Sequence, residues 1–361
     1  MGERIKVAVI FGGRSPEHEV SVASALSVIQ ALDQEQYEVV PVKISKEGRW
    51  LSQEEPVPLS SGLEGLPDRL QAELSLDLSH RRWLLFRDEG SGPAVRRIEE
   101  IGVIFPVIHG PYGEDGTLQG LLEMMDLPYV GCEVAASAIG MDKGFMKILF
   151  RAAGLPGPNF LLFKRAEWIR HSQDLLQRSG VELGYPVFVK PVNQGSTIGI
   201  SKAREEEELR SAIALACQYS EKIIVEAGID CRELECSVLG NQEPQASVVA
   251  EIVPSREYYD YESKYTPNLA ELRIPAPIPE EVARQVQEIA VKAFQVLDCV
   301  GMARVDFFWE KSTGRLYLNE LNTIPGFTAT SGYPKMWEAS GLPYPQLLDR
   351  LIELALERYQ T

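Results

Sequence analysis

Between residues 5 and about 120 the chain alternates short apolar runs with an amphipathic one: "IKVAVIF", "SVASALSVIQAL", "YEVVPVKI" and later "IGVIFPVIHG". Strands of this kind separated by helix-period segments bury both faces as a parallel sheet flanked by helices. Ligands of such sheets sit beyond the carboxyl ends of the strands, which singles out residues 12–19 and 109–116. Residues 47–98, between them, are more polar and carry "RRWLLF" and "AVRRI" as short strands. They read as an insertion at the domain's edge with no chemistry of its own.

The first of these ends, "VAVIFGGRSPEHEVS", turns from a strand through two glycines into a helix start. Phosphate loops begin this way, but the third glycine of the dinucleotide fingerprint and the Gly-Lys-Ser/Thr of the P-loop are both missing. Glu17 and Glu19 flank His18 at the helix mouth instead. A cation such as a substrate ammonium suits that site; alternatively the glutamates only complement the positive helix N-terminus.

The remaining bulk properties narrow the classes further. A length of 361 residues allows two or three domains. A net charge of −16, from 36 basic and 52 acidic residues, argues against a nucleic-acid partner, since affinity for phosphate backbones comes largely from Lys and Arg. A small phosphorylated molecule in a locally basic pocket remains compatible. "MGERIKVAVIF" has no signal-peptide character and no apolar run reaches membrane-spanning length; the expectation is a cytoplasmic protein with no membrane partner. Five scattered cysteines without a CxxC pair read as reduced, mostly buried thiols.

Further along, a helix over residues 142–153 ends at Gly154 and Pro156, and the acidic "REEEELRSAIALA" reads as a helix with a solvated face. From about residue 221 the chain is strand-rich, with a long helix near 280–297 and a final pair, "GMARVDFFWE" and "RLYLNELNT". There is no internal repeat.

That final pair carries the strongest chemical signal. Arg304 and Asp306 share one sheet face, as do Glu320 and Asn322. If "KSTGR" is a five-residue hairpin loop, Asp306 faces Glu320 and Arg304 faces Asn322. Two opposed carboxylates repel by roughly 0.2–1 kcal/mol even when exposed and ask for a cation between them. Oxygen ligands of these types suit Mg²⁺. The opposite faces, with Val305, Phe307 and Leu321, are apolar, so the hairpin is half buried.

Three other stretches support a nucleotide site. In "VFVKPVNQGSTIGISK" a strand delivers Lys190 and then a loop with Gly195, Ser196, Thr197 and Gly199, where backbone N–H groups can wrap phosphate oxygens. "EYYDYESKYTP" reads as an ordered loop over a site. "NTIPGFTATSGYP" offers Gly326 and small hydroxyls beside the metal acids, and its N–H groups can serve as an oxyanion hole.

Seven motifs in this order, "FGGRSPEHEVS", "HGPYGEDGTLQG", "MDKGFMK", "KPVNQGSTIGIS", "YYDYESKYTP", "MARVDFF" and "LNELNTIPGFTATSGYPKMW", resemble the D-alanine:D-alanine ligases of the ATP-grasp superfamily. The resemblance implies an α/β chain, α+β in its C-terminal part, with three domains: a parallel-sheet domain over 1–122 that binds the first D-alanine, a central ATP-grasp subdomain over 123–220, and a C-terminal one over 221–361. It implies that ATP phosphorylates one D-alanine carboxylate and that the amine of a second attacks the acylphosphate. Glu17 would hold the first ammonium, with His109 near the same substrate. Lys143 and Lys190 would take ATP phosphates under a lid of Gly195, Ser196 and Thr197. Glu226 would meet the adenine amino group and Glu233 the ribose. Asp306, Glu320 and Asn322 would bind two Mg²⁺ or Mn²⁺.

By the same resemblance, Arg304 and the Gly326 N–H would stabilise the tetrahedral oxyanion. Lys264, also an ATP contact, and Ser331 would receive the second carboxylate, while Ser196 and Tyr265 would hydrogen-bond with Glu17. A homodimer is implied as well. Two positions depart from the family: Ala227 stands where some members carry lysine, and Gly332 where a larger apolar residue is usual. A ligase that takes D-lactate to form a depsipeptide is the alternative within the class, and a non-catalytic ATP-binding protein the alternative outside it.

Overall fold

The computed structural model describes residues 4–52, 65, 72–77, 82–88, 93–195, 198–254, 270–328 and 330–359. The chain builds three sheets in succession. In the first, seven strands lie in the order Pro93–Glu100, Arg82–Asp88, Ala72–Asp77, Trp50–Ser52, Tyr37–Ile44, Ile5–Gly12 and Val103–Pro106. Only the last three pair in parallel. The polar insertion extends the sheet at its edge with antiparallel strands, so the expected parallel core stands within a sheet that is mixed as a whole. Connection length accounts for three of these four pairs, whose links 45–49, 78–81 and 89–92 are too short for the crossover that a parallel pair needs. Helix His18–Ala31 supplies that crossover between the strands Ile5–Gly12 and Tyr37–Ile44.

This helix buries His18, Ser21, Ala25, Val28 and Ile29 at helical spacing. Its serines tie strand ends together: Ser21 Oγ accepts the Gly12 N–H at 2.8 Å and donates to the Val107 carbonyl. Gly12 has a φ of +87°, and a Cβ there would lie 2.3 Å from the Ile44 oxygen. Only glycine can make this turn.

The central sheet, in the order Ser201–Ala203, Val187–Pro191, Lys222–Ala227 and Phe160–Lys164, is antiparallel throughout. The strand Lys222–Ala227, grouped with the third region on sequence, belongs here. Helix Glu206–Ala216 covers the sheet through Leu209, Ala212, Ile213 and Ala216 and leaves Glu206, Glu207 and Glu208 exposed in its first turn. The acidic run is therefore a solvated face, as its composition indicated.

The third sheet runs Ala270–Arg273, Gln245–Pro254, Cys231–Gly240, Gly301–Glu310 and Leu316–Asn322, with helix Glu280–Val296 packed on its apolar side through Val286, Ala290, Ala293 and Phe294. The closing helix Tyr344–Tyr359 returns to the first sheet, where Leu347, Leu348 and Leu351 join Val7, Val9 and Phe11. Phe327 sits in that same core, edge-on to Phe105 at 5.8 Å. This anchors the loop after Asn322 to the N-terminal domain. All five cysteines are free thiols. Among the described residues no helix is long and apolar enough to cross a membrane.

Candidate active site

The opening glycine turn sorts its three charged residues sharply. Glu19 is exposed and pairs with Lys46 at 2.8 Å, and His18 Nδ1 bonds the Gly13 carbonyl. Glu17 is 8% exposed and makes no side-chain capping hydrogen bond to its own helix. A Cβ built on Gly195 or on Gly110 would each lie 3.0 Å from Glu17 Oε2. Bare backbone at Gly195 and at the second strand end therefore closes on this carboxylate. Ser196 and Thr197 lie outside the described residues.

Lysines enter from the central domain. Lys143, first residue of helix Lys143–Ala152, donates to the Gln194 carbonyl at 3.0 Å and reaches Glu320 Oε2 at 3.4 Å, bridging the loop and the last hairpin. Lys190 lies directly across the ladder from Ile224, one strand from Glu226, and donates to Glu226 Oε2 at 2.9 Å. Burial alone would lower Lys190, but Glu226 and Glu320 hold it above its ordinary value. Burial would likewise raise Glu226; Lys147 and Lys190 hold it below.

The last hairpin has the expected register where it matters: Arg304 pairs with Asn322 and Asp306 with Glu320. Beyond Asp306 the register shifts by one, which leaves Asn319 as the extra residue of a bulge. Arg304 forks onto Asp306 at 2.7 and 2.8 Å and lies 3.3 Å from Glu235. Asn322 Nδ2 donates to Asp306 at 3.1 Å. Glu233 and Glu235 share this face from the neighbouring strand, with Glu235 opposite Asp306. Among the described residues no three His, Cys, Asp or Glu side chains gather around one point. Two carboxylates and an amide oxygen are nonetheless a donor set that fits Mg²⁺, which takes one or two carboxylates and completes its shell with water and phosphate oxygens.

The following loop places Gly326 against Ser331, whose Oγ would lie 2.8 Å from a Cβ at 326. Ser331 is held by Thr328, through the Thr328 N–H at 3.0 Å and the two hydroxyls at 2.7 Å, and does not cap the helix Gly332–Ala339. A Cβ on Gly332 would come within 2.8 Å of Glu235 Oε2. The missing side chain at 332 thus makes room for a carboxylate beside Arg304.

His109 joins the N-terminal domain to this loop. Its Nδ1 lies 3.1 Å from the Ile324 carbonyl and 3.5 Å from Glu114, and Nε2 lies 3.5 Å from Ser24, whose Oγ also accepts the Phe327 N–H. Burial opposes a charged imidazole, but the Glu114 and Glu17 carboxylates hold His109 above its ordinary 6.5. Burial pushes Glu114 up as well, so the pair titrates as one unit. A raised histidine contributes stability that is complete below pH 6.5 and is lost as pH rises through the folded value. The stability advantage of the wild type over His109→Gln is therefore expected to shrink as pH rises from 6 to 9. Thermal melts across that range check it, and a constant difference would contradict the charged imidazole.

Lys264 and Tyr265 lie outside the described residues. Three residues that sequence reasoning passed over stand in the cleft: Lys147, Glu114 and Glu235. Each had a weak signal, Lys147 one helical turn after Lys143, Glu235 two positions after Glu233, and Glu114 five after His109.

The nucleotide fits this cleft on its own terms. Lysines converge between two antiparallel sheets, and Glu226 Oε1 is a buried acceptor with no hydrogen-bond partner. A mixed N-terminal sheet followed by two antiparallel sheets that clasp a lysine-and-carboxylate cleft is the architecture of an ATP-grasp enzyme. Residues 6–132 match the family described as D-ala D-ala ligase N-terminus and residues 149–353 the D-ala D-ala ligase C-terminus. A D-alanine–D-alanine ligase of Thermoanaerobacter sp. is 48% identical over 99% of this chain and 98% of its own, and one from Acetivibrio thermocellus 44% identical over 99% and 98%. Among solved structures, the D-alanine–D-alanine ligase of Coxiella burnetii superposes with a TM-score of 0.84 at 36% identity, over 99% of this chain and 96% of that one. The VanG D-Ala:D-Ser ligase of Enterococcus faecalis does so at 0.85 and 36%, over 98% and 100%. This chain belongs to the D-alanine–D-alanine ligase family.

Proposed function

We propose that the chain joins two D-alanine molecules into D-alanyl-D-alanine for peptidoglycan, converting ATP to ADP and phosphate. One observation supports this most. Glu17, the Gly195 loop, Lys143 and Glu320 come from three domains and are linked by close contacts: a Cβ on Gly195 would lie 3.0 Å from Glu17, and Lys143 Nζ is 3.0 Å from the Gln194 carbonyl and 3.4 Å from Glu320. An ammonium anchor, a phosphate-neutralising lysine and a cation-binding hairpin are the three elements that phosphorylation of an amino-acid carboxylate requires.

In this reading Glu17 holds the first ammonium and His109 flanks the same substrate. Lys143 and Lys190 neutralise the phosphates under the Gly195–Ser196–Thr197 lid, while Glu226 and Glu233 take adenine and ribose. Asp306, Glu320 and Asn322 would hold Mg²⁺ or Mn²⁺, whose chemistry is to neutralise phosphate charge. The first carboxylate displaces ADP; the second amine then adds to the activated carbonyl, loses its proton and expels phosphate. Arg304 and the Gly326 N–H would stabilise the oxyanion of that addition. The second carboxylate falls to Lys264 and Ser331, and Ser196 and Tyr265 tie the lid to Glu17. Closure excludes the water that would hydrolyse the acylphosphate. A homodimer in the cytoplasm completes the reading.

A D-Ala:D-Ser ligase among the neighbours, at a TM-score of 0.85 against 0.84 for a D-alanine–D-alanine ligase, means that the fold leaves the second substrate open. The experiment is phosphate release from Mg-ATP with D-alanine, with and without D-lactate, and mass spectrometry of the product. Release that depends on D-alanine, yields the dipeptide and stops with EDTA is expected. Release without D-alanine, or mainly depsipeptide near neutral pH, would overturn the reading.

A further inference from the structure

Lys147 is the least expected charge in the molecule. It lies one turn after Lys143 on helix Lys143–Ala152, and its side chain is only 4% exposed. Burying an ammonium is costly, and an apolar residue of similar size is often as stable in such a place. The structure spends local irregularity on keeping it: the hairpin bulge turns out the Asn319 carbonyl, which accepts from Lys147 Nζ at 2.8 Å. The second partner is Glu226 Oε1 at 3.3 Å, an ion-pair contact outside hydrogen-bond geometry, since the same oxygen has no hydrogen-bond donor. Burial holds Lys147 below its ordinary value in spite of Glu226.

Glu226 therefore has two cations of different character. Lys190 binds Oε2 closely at 2.9 Å, and it is the lysine assigned above to the phosphates. When it turns to a nucleotide, Glu226 needs another positive charge, because a buried carboxylate without one takes up a proton. Lys147 is fixed by Asn319 and stays. Oε1 is then a buried, ionised acceptor that lacks a donor. The exocyclic amine of a 6-amino purine supplies such a donor. A 6-oxo purine presents an oxygen there and sets two acceptors face to face.

We propose that Lys147 is the resident counter-ion of Glu226, and that by keeping this carboxylate ionised and held in place it sets the preference for a 6-amino over a 6-oxo purine nucleotide. The proposal rests on the nucleotide reading of the cleft. Lys147 acts through Glu226 and is a positioning residue.

Direct binding of ADP and of IDP, by calorimetry on the full chain with Mg²⁺, tests it. The wild type is expected to bind ADP at least tenfold more tightly than IDP. Lys147→Met should bring the ratio near one by weakening ADP alone and leave the KM for D-alanine unchanged; Lys147→Arg should restore the ratio. If the methionine variant does not fold, Lys147→Gln carries the same comparison. A folded, uncharged variant that keeps the wild-type ratio overturns the role of Lys147. If the ratio instead survives Glu226→Gln, the assignment of Glu226 to the base falls, and with it the reading on which this proposal stands.

Discussion

Arg304→Met is expected to lower kcat on the order of 10²–10³-fold, the cost of removing an oxyanion donor, with little change in KM for ATP or D-alanine. In the proposed mechanism the guanidinium has two jobs that must be separated. It neutralises Asp306 through a fork at 2.7 and 2.8 Å and stands 3.3 Å from the buried Glu235. Its loss leaves half-buried carboxylates short of a counter-charge, a change that costs roughly 3–5 kcal/mol where burial is complete and less here. The methionine variant should therefore also melt earlier. Arg304→Lys keeps the charge and loses the fork. It should recover much of the melting temperature and little of kcat. A lysine variant that regains activity and stability together would show that Arg304 serves only as a counter-charge, and the oxyanion would need another donor.

The parts of the site that sequence made legible are those with a short-range rule behind them. Strand alternation puts Arg304 with Asp306 on one face, and that holds; Asp306 also faces Glu320, but not through a five-residue loop, since the ladder beside the turn pairs Trp309 with Leu316 and the bulge at Asn319 brings the register back. The bulge at Asn319 was not legible, because nothing in "RLYLNELNT" marks which residue the ladder skips. That skipped residue supplies the carbonyl for Lys147, so no sequence rule set Lys147 apart and it was passed over. The N-terminal sheet was half legible for the same reason. Apolar runs identify the parallel core, while the pairing of the polar insertion depends on turn lengths that hydropathy does not report.

Contacts between domains escaped sequence reasoning altogether. That the closing helix packs on the first sheet, or that Lys143 spans the loop and the hairpin, follows from no spacing rule, since the residues concerned are far apart in the chain. Only the family resemblance brought Glu17, Lys143 and Glu320 together beforehand. The glycines mark where such contacts occur. Gly110 and Gly195 both abut Glu17, and Gly332 abuts Glu235; each is a place where one segment comes too close to another for a side chain.

Glu17 gives the second large effect. Glutamine at this position has the same shape and no charge, so Glu17→Gln asks whether the carboxylate binds a cation or merely occupies the turn. Loss of a hydrogen bond to a charged group costs about 1.5–3 kcal/mol, which corresponds to a rise in the KM for the first D-alanine of roughly 10–150-fold. The KM for ATP should move far less, because the phosphate-side lysines contact Gln194, Glu320 and Glu226 and not Glu17. Stability should hold or rise slightly, since Glu17 is buried, makes no side-chain cap to helix His18–Ala31, and an amide is less costly to bury than a charge. Initial-rate kinetics with each substrate varied in turn, together with a thermal melt, decide it. Equal rises in both KM values with a lower melting temperature would mean that Glu17 supports the turn and that the first ammonium is held elsewhere.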